Sequence, residues 1–285
     1  MTKVSKICYN SAKSMKKDAV MLKLIENFFT HKDFLGGLDL PGRLFSPLHI
    51  IFSLCLLATV VIIAVAVSKR SEESRRRILM TLWIVFLILE VVKTTYESLG
   101  GSEPRFEVGG ILPLYPCSVY LYSFPFCFSK KRAVRLAACG YLFTMGFLGA
   151  AVNFVYPVNV LSNYSCISFM GFHTLFFHGT MLFTMLVMLF SGYHRYNHIE
   201  KFSELILPAL PMLIVSIPAN IINFSPIGSD YMFFKANSFF LPAIFGNLSD
   251  GVTTVIAYLL YAILPGLFYL PGYIMNAKGR MQNAK

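Results

Sequence analysis

Charged residues are scarce in this 285-residue chain, since Asp, Glu, Lys and Arg together make up only 14% of it. A soluble globular domain usually carries roughly a quarter of its residues as these four types. Hydrophobic residues account for 56% of the chain and cluster in long uninterrupted blocks. The composition therefore excludes a soluble globular domain and favours a protein whose helices face lipid.

Paired cysteines and polar linkers are also missing. The six cysteines form no CxxC motif and no regular spacing, so we expect neither a disulfide framework nor a zinc site, and we expect no other metal or cofactor. Because no polar linker divides the chain, we predict one membrane domain over residues 46–275. It lies between an N-terminal tail, residues 1–45, and a basic tail, residues 276–285.

Seven apolar blocks are present, and each is close to the length that crosses a bilayer. A helix rises about 1.5 Å per residue and the hydrocarbon core is about 30 Å thick, so about 20 apolar residues are needed. We therefore predict an all-α polytopic membrane protein, a bundle of seven transmembrane helices. The blocks are Ser46–Val67, Ile78–Ser98, Ile111–Phe128, Leu136–Tyr156, Phe169–Gly192, Ser203–Phe224 and Gly251–Met275.

The basic residues orient the predicted bundle. Loops 68–77, 129–135 and 193–202 and the C-terminal tail hold 14 Lys and Arg residues, whereas the alternate loops hold two. This asymmetry predicts a cytoplasmic C-terminus and an N-terminus outside. The net charge of +11 then faces anionic lipid headgroups, and we expect no nucleic-acid partner. We expect an integral membrane location, in the cell membrane of a bacterium or an endomembrane of a eukaryote.

Two segments outside the blocks are also apolar. Residues 18–30 read DAVMLKLIENFFT, which is typical of an amphipathic helix lying on the membrane surface, although a poorly ordered terminus is the simpler alternative. The long loop 225–250 contains YMFFKANSFFLPAIF, which is too apolar for a solvated loop and too interrupted to span. We interpret it as a re-entrant or interfacial lid.

Ionisable side chains are rare inside the blocks, and the second block carries three of them. Glu90, Lys93 and Glu97 have spacings that place them on one helix face, where Glu90 and Lys93 can pair. Charges at membrane depth are costly and indicate function by default. An ion pair that only fixes helix packing is the competing interpretation.

Other polar residues gather in the predicted outer halves of their helices. This placement indicates a polar cavity open to the outer face, although helix ends are also polar for ordinary interfacial reasons. His178 lies near the predicted midplane. The outer residues are Glu97, Cys117, Asn153, His173, Asn220 and Asn223.

Cys117 is a candidate nucleophile within this set. It follows Pro116, which removes a backbone donor and leaves the carbonyl of Leu112 without a helical partner. A cysteine can accept an acyl group when a base converts it to a thiolate. His173 and His178 are five residues apart, about 140° around a helix, so only one of them can serve Cys117. The sequence leaves that choice open, and an inert buried cysteine is the competing interpretation.

Three runs resemble one known family. LPLYPCSVYLY around Cys117, FFHGTMLF around His178, and PANIINF followed by DYMFF resemble motifs of the YwaF-like integral membrane proteins, which include transmembrane protein 164. The resemblance covers the first to the seventh block. Two positions depart from the family pattern, because Tyr115 stands where histidine is common and Asp230 stands where asparagine is common before Tyr-Met.

The resemblance implies a seven-helix fold and, in the animal branch, acyl transfer on phospholipids, with Cys117 as the acyl carrier and His178 as the base. We therefore expect a phospholipid acyltransferase or acyl hydrolase with membrane lipids as partners. The remaining candidates would support the site or bind substrate: His173, Glu90, Asn153, Asn220, Asn223 and Tyr231. A transporter or channel lined by Glu90, Lys93 and the asparagines is the first alternative, and a non-catalytic scaffold or receptor is the second.

Overall fold

The computed structural model describes residues 28–35, 41–104, 112–226, 229–235 and 248–283. These residues are helical wherever they are regular, and they form no β-strand. We name seven helical segments in chain order: α1 (Pro47–Ser68), α2 (Glu72–Leu99), α3 (Val119–Phe128), α4 (Arg132–Leu161), α5 (Phe169–Phe190), α6 (Phe202–Asn223) and α7 (Asp250–Asn283).

The ends of several helices follow from local capping chemistry. The side chains of Ser46, Ser71 and Ser168 each accept a hydrogen bond from a backbone amide in the first turn of α1, α2 and α5. Such caps satisfy donors that a helix leaves unpaired at its start. The chain turns away after α5 at Gly192, whose φ of 73° suits glycine because it has no Cβ.

Six of the seven segments are long and apolar enough to cross a membrane. The exception is α3, in which an α-helical stretch, Val119–Ser123, passes into a 3-10 helix, Phe124–Phe128. Residues 112–118, which belong to the predicted third block, are not helical. Pro113 and Pro116 explain this, because each lacks an amide donor and disfavours helix at the residue before it.

Helix α5 lies at the centre of the bundle. In its most apolar stretch 78% of the residues are buried, against 17% in α1 and in α2. It packs against α1, α2 and the stretch Phe147–Val155 of α4. The helices richest in Leu, Ile and Val lie at the periphery, while the helix that carries His173, His178 and three threonines lies inside. This arrangement suits a bilayer, where apolar side chains gain little by leaving lipid and polar side chains need protein partners.

Two predicted features fall largely outside the described residues. Only residues 28–30 of the predicted surface helix over 18–30 are described, and residues 227–228 and 236–247 of the predicted lid are outside the description. The described part of the N-terminal segment packs on the bundle. The ring of Phe28 lies 6.1 Å from that of Phe169, and the Lys32 amide donates to the Tyr164 hydroxyl at 3.3 Å.

Candidate functional site

Cys117 lies in the irregular turn that leads into α3. The Leu114 amide donates to the Leu112 carbonyl at 2.8 Å, so this carbonyl has a partner although Pro116 cannot provide the helical one. The Tyr120 amide donates to the Cys117 carbonyl at 3.1 Å, which places Cys117 in the turn directly before Ser118, the N-cap residue of α3. The Cys117 side chain is a free thiol and is half-buried.

Two tyrosine hydroxyls from other parts of the bundle hold this turn. The Tyr141 hydroxyl contacts the Pro116 carbonyl at 2.7 Å and the Cys117 carbonyl at 3.2 Å. The Tyr231 hydroxyl accepts a hydrogen bond from the Leu112 amide at 2.8 Å. Buried backbone groups outside regular structure need such partners. The position of Cys117 is therefore fixed by long-range contacts as well as by its own segment.

A strained turn between α6 and α7 presents Tyr231. Met232 and Phe233 both have positive φ, 61° and 54°, a conformation that costs a non-glycine residue roughly 1–3 kcal/mol. Asn223 holds the turn, because its Nδ2 donates to the Tyr231 carbonyl at 2.8 Å and its Oδ1 accepts from the Tyr231 amide at 2.7 Å and from Ser229 Oγ at 2.9 Å. The contacts of Asn223 are structural, and Tyr231 connects the turn to the Cys117 segment.

The ionisable residues of α2 meet a histidine of α5. Glu90 Oε1 accepts from Lys93 Nζ at 2.8 Å, as the spacing predicts, and Lys93 Nζ lies 4.0 Å from Glu97 Oε2. Glu90 Oε2 lies 3.4 Å from His173 Nε2, a contact between helices that spacing alone could not predict. Glu90 therefore joins Lys93 and His173 in one buried cluster.

His178 has one ring nitrogen bound and one without a partner. Its Nδ1 lies 2.7 Å from the Thr174 carbonyl, which can only accept, so Nδ1 carries the proton in the neutral ring. Its Nε2 therefore presents a lone pair. Nε2 is buried and has no hydrogen-bond partner among the residues that the structure describes. A buried acceptor without a partner is costly, so its presence in a folded protein needs an explanation, and a functional role is one.

The two histidines face different surroundings on α5. Nε2 of His173 lies 3.4 Å from Glu90 Oε2 without forming a hydrogen bond, whereas Nε2 of His178 has neither a hydrogen bond nor an ion-pair contact among the described residues. The ring of Phe177 lies between them, parallel to the His173 ring at 6.0 Å and edge-on to the His178 ring at 5.4 Å. Lys93 interacts electrostatically with both imidazoles and with Cys117.

Helix α4 contributes two further residues near this region. Outside the helix itself, the only described heavy atom within 4 Å of a Cβ built on Gly149 is the Cβ of Cys117, at 3.9 Å. Asn153 follows one turn later, and its Oδ1 is buried without a partner among the described residues. Asn220, on α6, donates to the Tyr258 hydroxyl of α7 at 2.7 Å.

Comparison with known proteins gives one match. The model of the TMEM164 family matches residues 44–270, which is most of the chain. The match includes Cys117, the whole of α1 to α6 and the greater part of α7. The chain belongs to the TMEM164 family. No curated protein and no solved structure matches it.

Family membership confirms the resemblance seen in the three motif runs and an integral membrane location. The two residues that depart from the family pattern, Asp230 and Tyr115, both make defined contacts in this member. Asp230 Oδ1 accepts from the Lys235 amide at 2.8 Å, a bond that an asparagine oxygen could also accept. The ring of Tyr115 packs against those of Tyr231 and Phe233, at 5.3 and 5.5 Å.

Sequence reasoning missed the role of Tyr141 and of the tyrosine hydroxyls generally. Tyr141 is fully buried, and in the sequence it reads as one more apolar residue of the fourth block. The one available signal is general, since a buried tyrosine usually finds a hydrogen-bond partner for its hydroxyl. The identity of that partner depends on how α4 packs against the Cys117 turn.

One histidine at the basic end of the bundle has a structural role. His194 is 2% exposed, and its Nε2 lies 2.7 Å from the Tyr269 hydroxyl of α7. Burial, with smaller contributions from His198 and Arg135, lowers the pKa of His194 to about 3. His194 therefore stays neutral at physiological pH and joins the loop after α5 to α7.

Proposed function

We propose that this member of the TMEM164 family is a phospholipid acyltransferase or acyl hydrolase, with Cys117 as nucleophile and His178 as general base in the outer half of the bilayer. The observation that carries the proposal is the state of His178. Its Nδ1 proton is bound to the Thr174 carbonyl, so the buried Nε2 lone pair is available to accept a proton.

The proposed reaction has two balanced steps. In the first, the Cys117 sulfur attacks an ester carbonyl of a phospholipid while its proton passes to His178 Nε2. The ester C–O bond breaks, the lysophospholipid oxygen takes that proton, and the acyl group remains on sulfur as a thioester. In the second, an acceptor hydroxyl or water attacks the thioester and gives its proton to Nε2, which returns it to the leaving sulfur.

The surroundings of Cys117 support this chemistry. A thiolate paired with an imidazolium is costly in a region of low dielectric constant unless other charges compensate it. Lys93 interacts electrostatically with the thiol, and it is itself paired with Glu90 at 2.8 Å and lies 4.0 Å from Glu97. Cys117 is half-buried, and Gly149 places no side chain beside it, since a Cβ built on Gly149 would lie 3.9 Å from the Cys117 Cβ.

Acyl transfer in nanodiscs tests the proposal directly. The discs contain a phospholipid with a radiolabelled acyl chain and an unlabelled lysophospholipid acceptor, and the labelled products are quantified. We expect Cys117→Ala to abolish transfer and to remove a hydroxylamine-sensitive label from the Cys117 peptide. Cys55→Ala is the matched control, because Cys55 is an exposed thiol on α1 and should leave both signals unchanged.

The base is tested with two matched histidine variants. His178→Asn can still donate to the Thr174 carbonyl but cannot accept the proton, so we expect transfer to fall by about 10²- to 10⁴-fold. His173→Asn should have a smaller effect. If His173→Asn abolishes transfer and His178→Asn does not, the base assignment is wrong. Full transfer by Cys117→Ala would refute the enzyme proposal.

One observation favours a second candidate function, a transport pathway. Glu90 contacts both Lys93 and His173, which makes a continuous chain of ionisable groups inside the bundle. A pathway predicts that Glu90→Gln stops solute or proton flux in liposomes while Cys117→Ala is tolerated. If neither variant changes any lipid or flux assay, a scaffold or receptor remains.

A further inference from the structure

Helix α4 contains a π-helical turn, Leu142–Gly146, between two α-helical stretches. The Phe147 amide donates to the Leu142 carbonyl, five residues back instead of four. Such turns are rare in proteins and occur frequently at functional sites. This one lies directly after Tyr141, whose hydroxyl contacts the Cys117 carbonyl, and shortly before Gly149, on which a Cβ would lie 3.9 Å from the Cys117 Cβ.

Side-chain hydroxyls stabilise the π-turn. The Thr144 hydroxyl donates to the Gly140 carbonyl at 2.7 Å. The Tyr196 hydroxyl, from the loop after α5, donates to the Phe143 carbonyl at 2.8 Å. The carbonyls of Gly140 and Phe143, at and beside the widened turn, thus each accept a hydrogen bond from a side-chain hydroxyl. The π-turn is therefore a supported part of the packed structure.

The π-turn changes which residues share a face of α4. In a regular α-helix, eight residues correspond to about 800°, so Tyr141 and Gly149 would lie about 80° apart. A π-turn absorbs one extra residue, so the same interval corresponds to about 700° and the two residues lie within about 20° of one face. The Tyr141 hydroxyl and the bare Cα of Gly149 both face the Cys117 turn, in agreement with this phase.

We propose that the π-turn of α4 aligns Tyr141 and Gly149 on Cys117, with Tyr141 as a positioning residue and Gly149 as the residue that sets the space beside the thiol. Tyr141 acts through the Pro116 and Cys117 carbonyls and touches no reacting atom. Gly149 lacks the side chain that would fill the volume next to the Cys117 Cβ. The proposal that this space limits the size of the acyl chain rests on the proposed acyl transfer. The proposal that Tyr141 positions the thiol does not.

Alkylation of Cys117 without any acyl substrate tests the positioning. The full-length protein in nanodiscs is treated with iodoacetamide, and modification of the Cys117 peptide is followed by mass spectrometry. We expect Tyr141→Phe to change this rate several-fold with little change in melting temperature. Tyr193→Phe is the matched control, because it also removes a tyrosine hydroxyl bound to a backbone carbonyl, that of Cys127 at 2.8 Å, and should leave the rate unchanged.

In the acyl-transfer assay, Tyr141→Phe should lower kcat by about 10- to 100-fold and leave KM nearly unchanged, because a misplaced nucleophile slows chemistry more than binding. A role in stability alone would lower melting temperature without this split. An unchanged alkylation rate for Tyr141→Phe would overturn the positioning role. Altered alkylation in a protein without acyl turnover would instead refute the proposed function and leave the positioning role intact.

The space beside Gly149 is tested by comparing a small and a bulky thiol reagent. We expect Gly149→Leu to slow alkylation of Cys117 by a bulky maleimide more than alkylation by iodoacetamide. Gly149→Ala should have the same effect to a lesser degree. Gly279→Ala is the control for helix propensity, since no described atom outside its own helix lies within 4 Å of its Cβ. An unchanged maleimide-to-iodoacetamide ratio in Gly149→Leu would refute this role.

Discussion

Replacement of Asn223 by alanine should be among the most destabilising single changes at the end of the bundle opposite the basic loops. The Asn223 amide makes three hydrogen bonds, two to the backbone of Tyr231 and one to Ser229. Asn223 is 3% exposed and Tyr231 is fully buried, so water cannot replace these bonds without opening the turn. Each buried group left without a partner costs about 1–3 kcal/mol.

Two backbone groups of Tyr231 and the Ser229 hydroxyl lose their partner in Asn223→Ala. We therefore expect the free energy of unfolding to fall by about 3–5 kcal/mol, a total reduced by partial relaxation of the turn. Relaxation is favoured because Met232 and Phe233 then leave their left-handed conformations, which cost roughly 1–3 kcal/mol each. Even after this relaxation, the loss of three hydrogen bonds should destabilise the protein strongly, although no apolar side chain is removed.

Equilibrium unfolding in mixed micelles, with increasing SDS and followed by circular dichroism, measures this loss. Asn220→Ala is the matched control, because Asn220 lies one turn earlier on α6 and donates one hydrogen bond, to Tyr258. Its expected loss is about 1 kcal/mol. Equal destabilisation by the two variants would contradict the reasoning and would mean that Asn223 does not hold the strained turn.

Two further predictions concern the opposite end of the bundle. The pKa of His194 is lowered to about 3, so between pH 6.5 and 3 the unfolded chain binds a proton at this residue and the folded chain does not. The free energy of unfolding should therefore fall on acidification below pH 6.5, by up to about 1.4 kcal/mol per pH unit. In unfolding measured across pH, His194→Gln should flatten this slope. Gly140→Ala should cost about 1–3 kcal/mol and lower the melting temperature, because its Cβ would lie 2.7 Å from Pro208, whereas Gly279→Ala should not.

The sequence predicted most helix bounds to within a few residues. The predicted first block, Ser46–Val67, became α1 at Pro47–Ser68, and the fifth, Phe169–Gly192, became α5 at Phe169–Phe190. Long apolar blocks determine helices because only internally hydrogen-bonded backbone is stable in lipid. The last helix continues beyond the predicted Met275 to Asn283, since helix propensity and not apolar length sets an end outside the membrane.

The sequence predicted residues of the candidate site and the contacts within one helix, but not the contacts between helices. Spacing along α2 predicted the pair of Glu90 and Lys93, because neighbours on one helix face depend only on helix geometry. The contact of Glu90 with His173 joins two helices and depends on how α2 packs against α5. Asn223 was a candidate for supporting the site or binding substrate, and the bonds of its amide to the backbone of the Tyr231 turn depend on tertiary structure that the sequence did not predict.

The sequence by itself determined that this is a multi-span membrane protein, because transfer of apolar blocks and charged loops between water and lipid is a property of local composition. Tertiary structure alone decided which polar atoms keep a free lone pair. The bond of His178 Nδ1 to the Thr174 carbonyl joins residues four apart on α5 and is local, whereas Nε2 is without a hydrogen-bond partner because no described residue of the neighbouring helices donates to it. Such pairing depends on packing between segments distant in sequence, which no local pattern encodes.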